Sequence, residues 1–151
     1  MDIKIKTNAK SLQARYSKFI HKLPKIIQQG LEDAGAFLSE AQKVRTDRGL
    51  DVNRKTFISY SPAYAELKGK SRVDLQDTNR MLQSISHKLI SRNKAQIYFR
   101  SQAEAEKGFY HQTGAGRLPV RKFFGFDKRL EKQVNKNFVK FLERKIKGMN
   151  I

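Results

Sequence analysis

The strongest constraint on the fold is a stripe of apolar residues that recurs every three or four positions between Leu12 and Val44. That spacing places the apolar side chains on one face of an α-helix. The sequence therefore predicts a helix of about 30 residues. Because proline cannot donate the helical hydrogen bond, we expect Pro24 to kink this helix or divide it into two nearly collinear helices. Gly30 and Gly35 either weaken the helix or let another element approach it closely.

A second long helix is predicted near the C-terminus. Asp127 has the residue type of a helix N-cap, and about 20 residues with helical spacing follow it. The apolar residues of this helix are Leu130, Val134, Phe138, Phe141, Leu142 and Ile146.

The residues between these helices change their periodicity several times. Turn-forming residues dominate residues 46–70, which indicates a long, partly packed loop. Residues 75–82 predict a short helix, with Asp77 or Thr78 as its cap. Alternating apolar and polar residues at 84–90 and 96–100, joined by a turn at 91–94, predict a β-hairpin.

Residues 103–111 then predict one or two helical turns, and residues 114–119 predict a loop. At the other end of the chain, residues 2–7 alternate between apolar and polar types, which predicts a short strand. Because strands and helices do not alternate regularly, a parallel α/β fold is disfavoured. The sequence predicts one domain, residues 1–151, of the α+β class: a small antiparallel sheet with a hairpin, packed against an N-terminal and a C-terminal long helix.

The net charge restricts the kinds of partner. The chain has 32 Lys and Arg residues against 14 Asp and Glu, a formal charge of +18. Such a balance favours polyanions and acidic protein surfaces as partners. Lys132, Lys136, Lys140 and Arg144 are spaced four residues apart and predict a basic ridge on the last helix, which could contact DNA phosphates or an acidic subunit. A solvated face without a partner is the alternative.

The sequence contains few residues suited to catalysis. It has no cysteine, which excludes disulfides, thiolate metal sites and a cysteine nucleophile. The three histidines lie on different predicted elements without metal-binding spacing, so we expect no metal site and no enzymatic activity. No apolar run of about 18 residues is present to cross a membrane. A nuclease-like site of His111, Arg117 and Arg121 is the catalytic alternative.

Three stretches in the second half of the chain form an ordered set of motifs. The first comprises residues 51–53, Phe57, 60–65 (YSPAYA) and 68–70 (KGK). The second is 75–85 (LQDTNRMLQSI), and the third comprises 110–114 (YHQTG) and 117–125 (RLPVRKFFG). In this order they resemble the virion-morphogenesis family of tailed phages. That family includes Mu-like and P2-like tail-completion proteins and is similar to neck proteins.

The family pattern has a Leu-x-x-Thr-Gly-x-Leu-x-x-Ser-Ile helix before a hairpin, then His-Gln-x-Gly, then Pro-x-Arg-x-Phe-x-Gly before the last helix. Asn79 stands where glycine is usual, and asparagine also tolerates a left-handed backbone. Lys122 replaces the common proline and loosens that turn. The N-terminal strand and long helix match the family only in type.

The resemblance implies a structural assembly protein that completes the tail or neck at the head–tail junction, often as a homo-oligomeric ring. It also implies that the protein has no cofactor and is not an enzyme. Its expected partners are neck or connector proteins and tail-tube proteins. Its expected location is the virion, after assembly in the host cytoplasm. A nonspecific basic nucleic-acid-binding protein and a small RNase-like toxin are the alternative functions.

Aromatic and arginine side chains in the motif stretches are candidate anchors of a protein interface. The candidates for partner binding are Tyr60, Tyr64, Arg117, Pro119, Arg121, Phe123 and Phe124. These aromatic residues could instead form the core of the domain itself. We expect Arg121→Glu to block assembly without unfolding the isolated domain.

Overall fold

The computed structural model describes residues 8–149, which form an α+β arrangement with two long helices and a two-stranded antiparallel sheet. The elements are α1 (Ala9–Asp47), α2 (Pro62–Lys68), α3 (Arg80–Ser84), β1 (Ile85–Ser91), β2 (Lys94–Phe99), α4 (Gln102–Thr113) and α5 (Lys128–Lys147). The predicted fold class is confirmed. The strand predicted for residues 2–7 lies outside the described residues. Within residues 8–149, no helix is both long enough and apolar enough to cross a membrane.

Helix α1 is longer than predicted, with 39 residues, and it continues through Pro24. The division into two helices, one of the two effects predicted for Pro24, does not occur. Proline leaves the carbonyl of Ile20 without its helical donor, but both residues are exposed. Water can therefore bond this carbonyl, and the helix loses only one internal hydrogen bond.

Two glycines of α1 mark close contacts on different sides of the helix. A Cβ atom at Gly30 would lie 2.6 Å from Cε2 of Phe138 in α5, and one at Gly35 would lie 2.8 Å from Cδ2 of His87 in β1. These positions are about 140° apart around the helix axis. The second half of α1 is therefore packed between α5 and the hairpin, and the interpretation of both glycines as close-approach positions is confirmed.

The segment predicted as one long loop, residues 46–70, contains helix α2, so that prediction is wrong in part. The Oγ atom of Ser61 accepts a hydrogen bond from the Tyr64 N–H at 3.4 Å, and Pro62 lies in the first turn. Gly69 ends the helix with φ of 67°. Serine followed by proline is a common helix start that the prediction missed.

Helix α3 begins at Arg80, later than predicted, and Asn79 rather than Asp77 or Thr78 precedes it. The φ angle of Asn79 is 58°, so the predicted use of asparagine in a left-handed position is confirmed. The hairpin is also confirmed, with β1 and β2 paired antiparallel. Helix α4 has 12 residues, more than the two turns predicted. The loop predicted at 114–119 includes a single 3₁₀ turn, Ala115–Arg117.

Helix α5 begins as predicted, because Oδ1 of Asp127 accepts a hydrogen bond from the Leu130 N–H at 2.6 Å. Leu130 and Phe141 are buried against α1, whereas Ile146 at the end of the predicted apolar face is 39% exposed. The largest buried cluster lies elsewhere, around the completely buried ring of Phe123. Its members are Phe57, Val73, Leu75, Met81, Leu82, Ile85 and Phe123.

Candidate partner-binding groove

Arg121 joins two chain segments that are far apart in the sequence. Its backbone N–H donates to the carbonyl of His111 at 2.7 Å. Its Nε and Nη2 atoms donate to the carbonyl of Ile58 at 3.1 and 3.0 Å, and its guanidinium carbon lies 5.2 Å from the centre of the Tyr60 ring. Arg121 is 4% exposed, and burial lowers the pKa of its guanidinium. This side chain supports the fold and is not free for a partner.

This placement changes the expectation for Arg121→Glu. A glutamate would bring a buried negative charge against carbonyl oxygens that now accept hydrogen bonds from the guanidinium. Such an uncompensated charge is strongly unfavourable. Contrary to the prediction from sequence, we expect Arg121→Glu to unfold the domain.

Phe123 and Phe124 also lie away from a free surface. The ring of Phe123 is completely buried, and the half-buried ring of Phe124 stacks on Phe99 with centroids 5.1 Å apart. For Phe123 the structure therefore supports the core interpretation and not the partner interpretation. Gln112 holds Phe124 in place, because its amide accepts from the Phe124 N–H at 3.1 Å and donates to the Phe124 carbonyl at 2.9 Å.

Two polar residues of α1 hold the same segment from the other side. Nη2 of Arg45 donates to the carbonyls of Phe123 and Gly125, at 2.5 and 3.0 Å. The Oε1 atom of Gln42 accepts from the Gly125 N–H at 2.9 Å. Gln42 and Arg45 were not singled out from the sequence, because they resemble ordinary polar residues on helix surfaces. Gln112 belongs to the His-Gln-x-Gly motif, but the sequence did not indicate which backbone groups it binds.

An open groove of about 570 Å³ has Arg121 in its lining. The residues that line it include Tyr60, Tyr64, Arg117, Pro119 and Arg121, five of the seven candidates for partner binding. Tyr64 is 42% exposed at the rim, and its ring meets that of Tyr60 edge-on with centroids 4.9 Å apart. Arg117 is exposed in a left-handed backbone conformation with φ of 67°. The groove therefore combines aromatic walls with a free arginine.

Lys68 adds positive charge to the groove. Its Nζ atom donates to the Tyr60 hydroxyl at 3.1 Å and lies 3.7 Å from Oδ1 of Asp74. The other carboxylate oxygen of Asp74, Oδ2, accepts a shorter hydrogen bond from Lys70. Burial alone would lower the pKa of Lys68, but Tyr60 and Asp74 raise it above its usual value. Burial alone would raise the pKa of Asp74, but the hydrogen bonds from Lys70 and the Gln76 N–H lower it. One carboxylate thus faces two ammonium groups, which leaves this wall positive.

His111 lies at the edge of the groove and is half-buried. Burial lowers the pKa of its imidazole, and the positive charges of Arg121 and Lys68 lower that pKa further. Its Nδ1 atom is buried without a hydrogen-bond partner in the described structure. Because the Arg121 guanidinium is bonded to backbone carbonyls, the three residues of the nuclease hypothesis do not form one exposed set. In the described part of the chain, no group of three His, Cys, Asp or Glu residues could hold a metal ion.

The predicted basic ridge lies on α5 and shares no residue with the groove. Lys132, Lys136, Lys140 and Arg144 are all exposed. Among residues 8–149, none of the four has a carboxylate within 4.0 Å. The guanidinium of Arg144 lies 5.9 Å from the centre of the Phe141 ring, which holds it against the helix. The ridge is therefore a cationic surface exposed along α5, and its binding to DNA or to an acidic subunit stays a prediction.

Comparison of the chain with protein-family models, with curated proteins and with solved structures finds no match. The resemblance to the phage family thus stays a prediction that depends on the motif residues themselves. Among groove residues, Lys68 was missed because α2 was predicted as loop. A helix starting at Ser61 would have placed Lys68 one turn after Tyr64 on the same face.

Proposed function

We propose that this chain is a structural assembly protein of a tailed phage, which acts at the head–tail junction to complete the tail or neck and to join heads to tails. The observation that carries this proposal is the groove that joins the first and third motif stretches. Tyr60 and Tyr64 come from one stretch, and Arg117 and Pro119 come from the other. Residues quoted for the resemblance thus meet at one surface although more than 50 positions separate them.

The chemistry of the groove suits a protein partner. Tyrosine and arginine are the residue types that most often anchor protein interfaces, because they combine a large apolar area with directed hydrogen bonds. Lys68 and Arg117 would favour a partner segment with a carboxylate. We propose neck or connector proteins, tail-tube proteins and neighbouring copies in a ring as the partners, with the virion as the location of the assembled protein.

Gene deletion with complementation tests this role. The gene is deleted from the phage or prophage that carries it, and the lysate is imaged by electron microscopy. We expect full heads separated from unattached or malformed tails, with joining restored by the wild-type gene. Intact infectious virions in the deletion lysate would refute the proposal.

A groove variant connects that role to the groove. Tyr64→Ala/Arg117→Glu changes two exposed side chains, so we expect a folded protein that fails to restore joining. Leu67→Ala is the matched control, since Leu67 is 83% exposed on the same helix as Tyr64 but does not line the groove. Full complementation by the double variant would show that the partner binds elsewhere.

Nonspecific nucleic-acid binding is the second candidate function, and the exposed cations of the α5 ridge favour it. Such binding depends on phosphate contacts and weakens steeply with salt. We expect Lys132→Glu/Lys136→Glu/Lys140→Glu to lower the salt dependence of duplex DNA binding by about three units of log–log slope. The matched control, Lys55→Glu/Arg92→Glu/Lys94→Glu, makes the same charge change at exposed positions outside the ridge. An equal decrease of this slope in both variants would show that DNA binding depends on the net charge and not on the ridge.

A further inference from the structure

The first half of α1 has an apolar face that no other described residue covers. Over residues 9–25, every residue is exposed except two half-buried ones, Phe19 and Leu23. The large apolar residues of this stretch are Leu12, Tyr16, Phe19, Ile20 and Leu23. Three large side chains among them, Leu12, Tyr16 and Ile20, are 41%, 51% and 64% exposed. We call residues 9–25 the N-terminal arm, which is about 25 Å long.

The apolar face of the arm continues the seam between α1 and α5. At about 100° per residue, the arm stripe lies on the same side of α1 as Gly30 and Ala34, which contact α5. The two helices run antiparallel, with Gly30 beside Phe138 and Phe141, and Ala41 in the same cleft as Leu130. Helix α5 ends at Lys147, about level with Leu23 of α1 by the same spacing. Beyond that level, no helix within residues 8–149 covers the stripe.

The rest of the arm surface is basic. The cationic residues are Lys10, Arg15, Lys18, Lys22 and Lys25, and residues 8–31 contain no Asp or Glu. Helical spacing places these cations away from the stripe, with Arg15 and Lys22 along one of its edges. None of the five has a carboxylate within 4.0 Å among the described residues. The arm is therefore amphipathic with charge of one sign.

We infer that the arm is a docking surface for an acidic partner protein, which covers the stripe with an apolar helix or groove in line with α5. Carboxylates beside that apolar surface would pair with Arg15 and Lys22. Helices with such apolar stripes commonly bind partners in this way. The inference depends neither on the groove nor on the proposed role in phage assembly.

Charge and shape select this occupant over two others. A second copy that paired its arm with this arm would bring the same cations together, because residues 8–31 contain no Asp or Glu. A flat lipid surface would meet α5 first, since packed helix axes are 8–10 Å apart and α5 lies on the same side of α1 as the stripe. An acidic helical segment of a partner protein avoids both the repulsion between cations and the steric contact with α5.

A peptide titration tests the inference. The probe is a fluorescein-labelled synthetic helix of three heptads, with leucine at positions a and d and glutamate at e and g. Its matched control has lysine in place of glutamate. We expect fluorescence anisotropy to show binding of the acidic peptide to the full chain at low salt, and no binding of the lysine peptide.

Two arm variants and one control locate the binding. Tyr16→Ala/Ile20→Ala and Arg15→Glu/Lys22→Glu should each weaken binding at least about tenfold, because the first removes buried apolar area and the second reverses the paired charges. Leu67→Ala should bind like the wild type. Circular dichroism should show unchanged folding, since alanine favours helix and these side chains are exposed.

Several outcomes would overturn the inference. One is equal affinity of the arm variants and the wild type for the acidic peptide. Another is co-sedimentation with phosphatidylglycerol vesicles without peptide binding, which would assign the arm to a membrane surface. The third is a dimer in sedimentation equilibrium that the Tyr16→Ala/Ile20→Ala variant does not form. That result would show that the arm binds a second copy of the chain.

Discussion

The two sides of the segment from Arg117 to Gly125 differ in role. Arg121 and Phe123 face inward and are 4% and 0% exposed, whereas Val120 is 45% exposed. Lys122, between the two buried residues, is exposed as well. Neighbouring residues of an irregular extended segment thus divide between core and surface. The residues of one motif therefore have two roles. The buried residues Arg121 and Phe123 stabilise the fold, and the exposed residues of the same segment form part of the surface.

The largest effect expected from this division is that of Phe123→Ala. Removing a completely buried aromatic ring costs the transfer free energy of the ring and leaves a cavity, so we expect a loss of about 3–5 kcal/mol in the free energy of unfolding. Val120→Ala on the outer side should cost much less, because nearly half of Val120 is already exposed. Urea denaturation of both variants measures the difference. A similar decrease in the free energy of unfolding for both variants would contradict the assignment of Phe123 to the core and Val120 to the surface.

A smaller effect is expected for Arg121→Met, which keeps much of the side-chain volume but removes the donors to the Ile58 carbonyl. An unsatisfied buried acceptor costs about 1–3 kcal/mol, so the free energy of unfolding should fall by that amount. Lys122→Met is the matched control, and we expect it to change stability by less than about 0.5 kcal/mol. A stability of Arg121→Met equal to that of the control would show that the hydrogen bonds in the structure contribute nothing.

The smallest effect is expected from His111, at the border between core and groove. Burial, followed by Arg121 and Lys68, lowers the pKa of its imidazole in the folded state below the value in the unfolded chain. The unfolded state therefore takes up the proton first as the pH falls, and this contribution to stability is complete only above the unfolded pKa of about 6.5. It is lost progressively as the pH decreases through the folded pKa.

Thermal denaturation of the wild type and His111→Gln at pH 8 and pH 5 measures that contribution. We expect the melting temperature of the wild type to decrease more between these pH values than that of the variant. His21→Gln, at an exposed position, should behave like the wild type. An identical pH dependence in all three proteins would show that His111 titrates equally in both states.

The elements that follow from local spacing were predictable. The α1 stripe, the Asp127 cap and the hairpin each depend on residues close together in the sequence. Helix α2 was missed because its seven residues are too few to establish a period, although its Ser-Pro start was a usable signal. The start of α3 was misplaced because Asn79 takes a left-handed conformation before the helix.

The candidate site was predictable only in composition. Tyr64 and Arg117 were selected for residue type, and both line the groove. The burial of Arg121 was not predictable, because it depends on carbonyls more than 60 positions earlier in the chain. Its sequence neighbours, Val120 and Lys122, contain no signal of that contact.

The continuity of α1 through Pro24 has a mechanical consequence. The 39 residues of the helix are uninterrupted and correspond to about 58 Å of helical rise. Its second half packs through Gly30 against α5 and through Gly35 against the hairpin. We therefore expect a force on the exposed end of α1 to reach both α5 and the hairpin through these two contacts. A movement of the first half of α1 would therefore act on the contacts at Gly30 and Gly35.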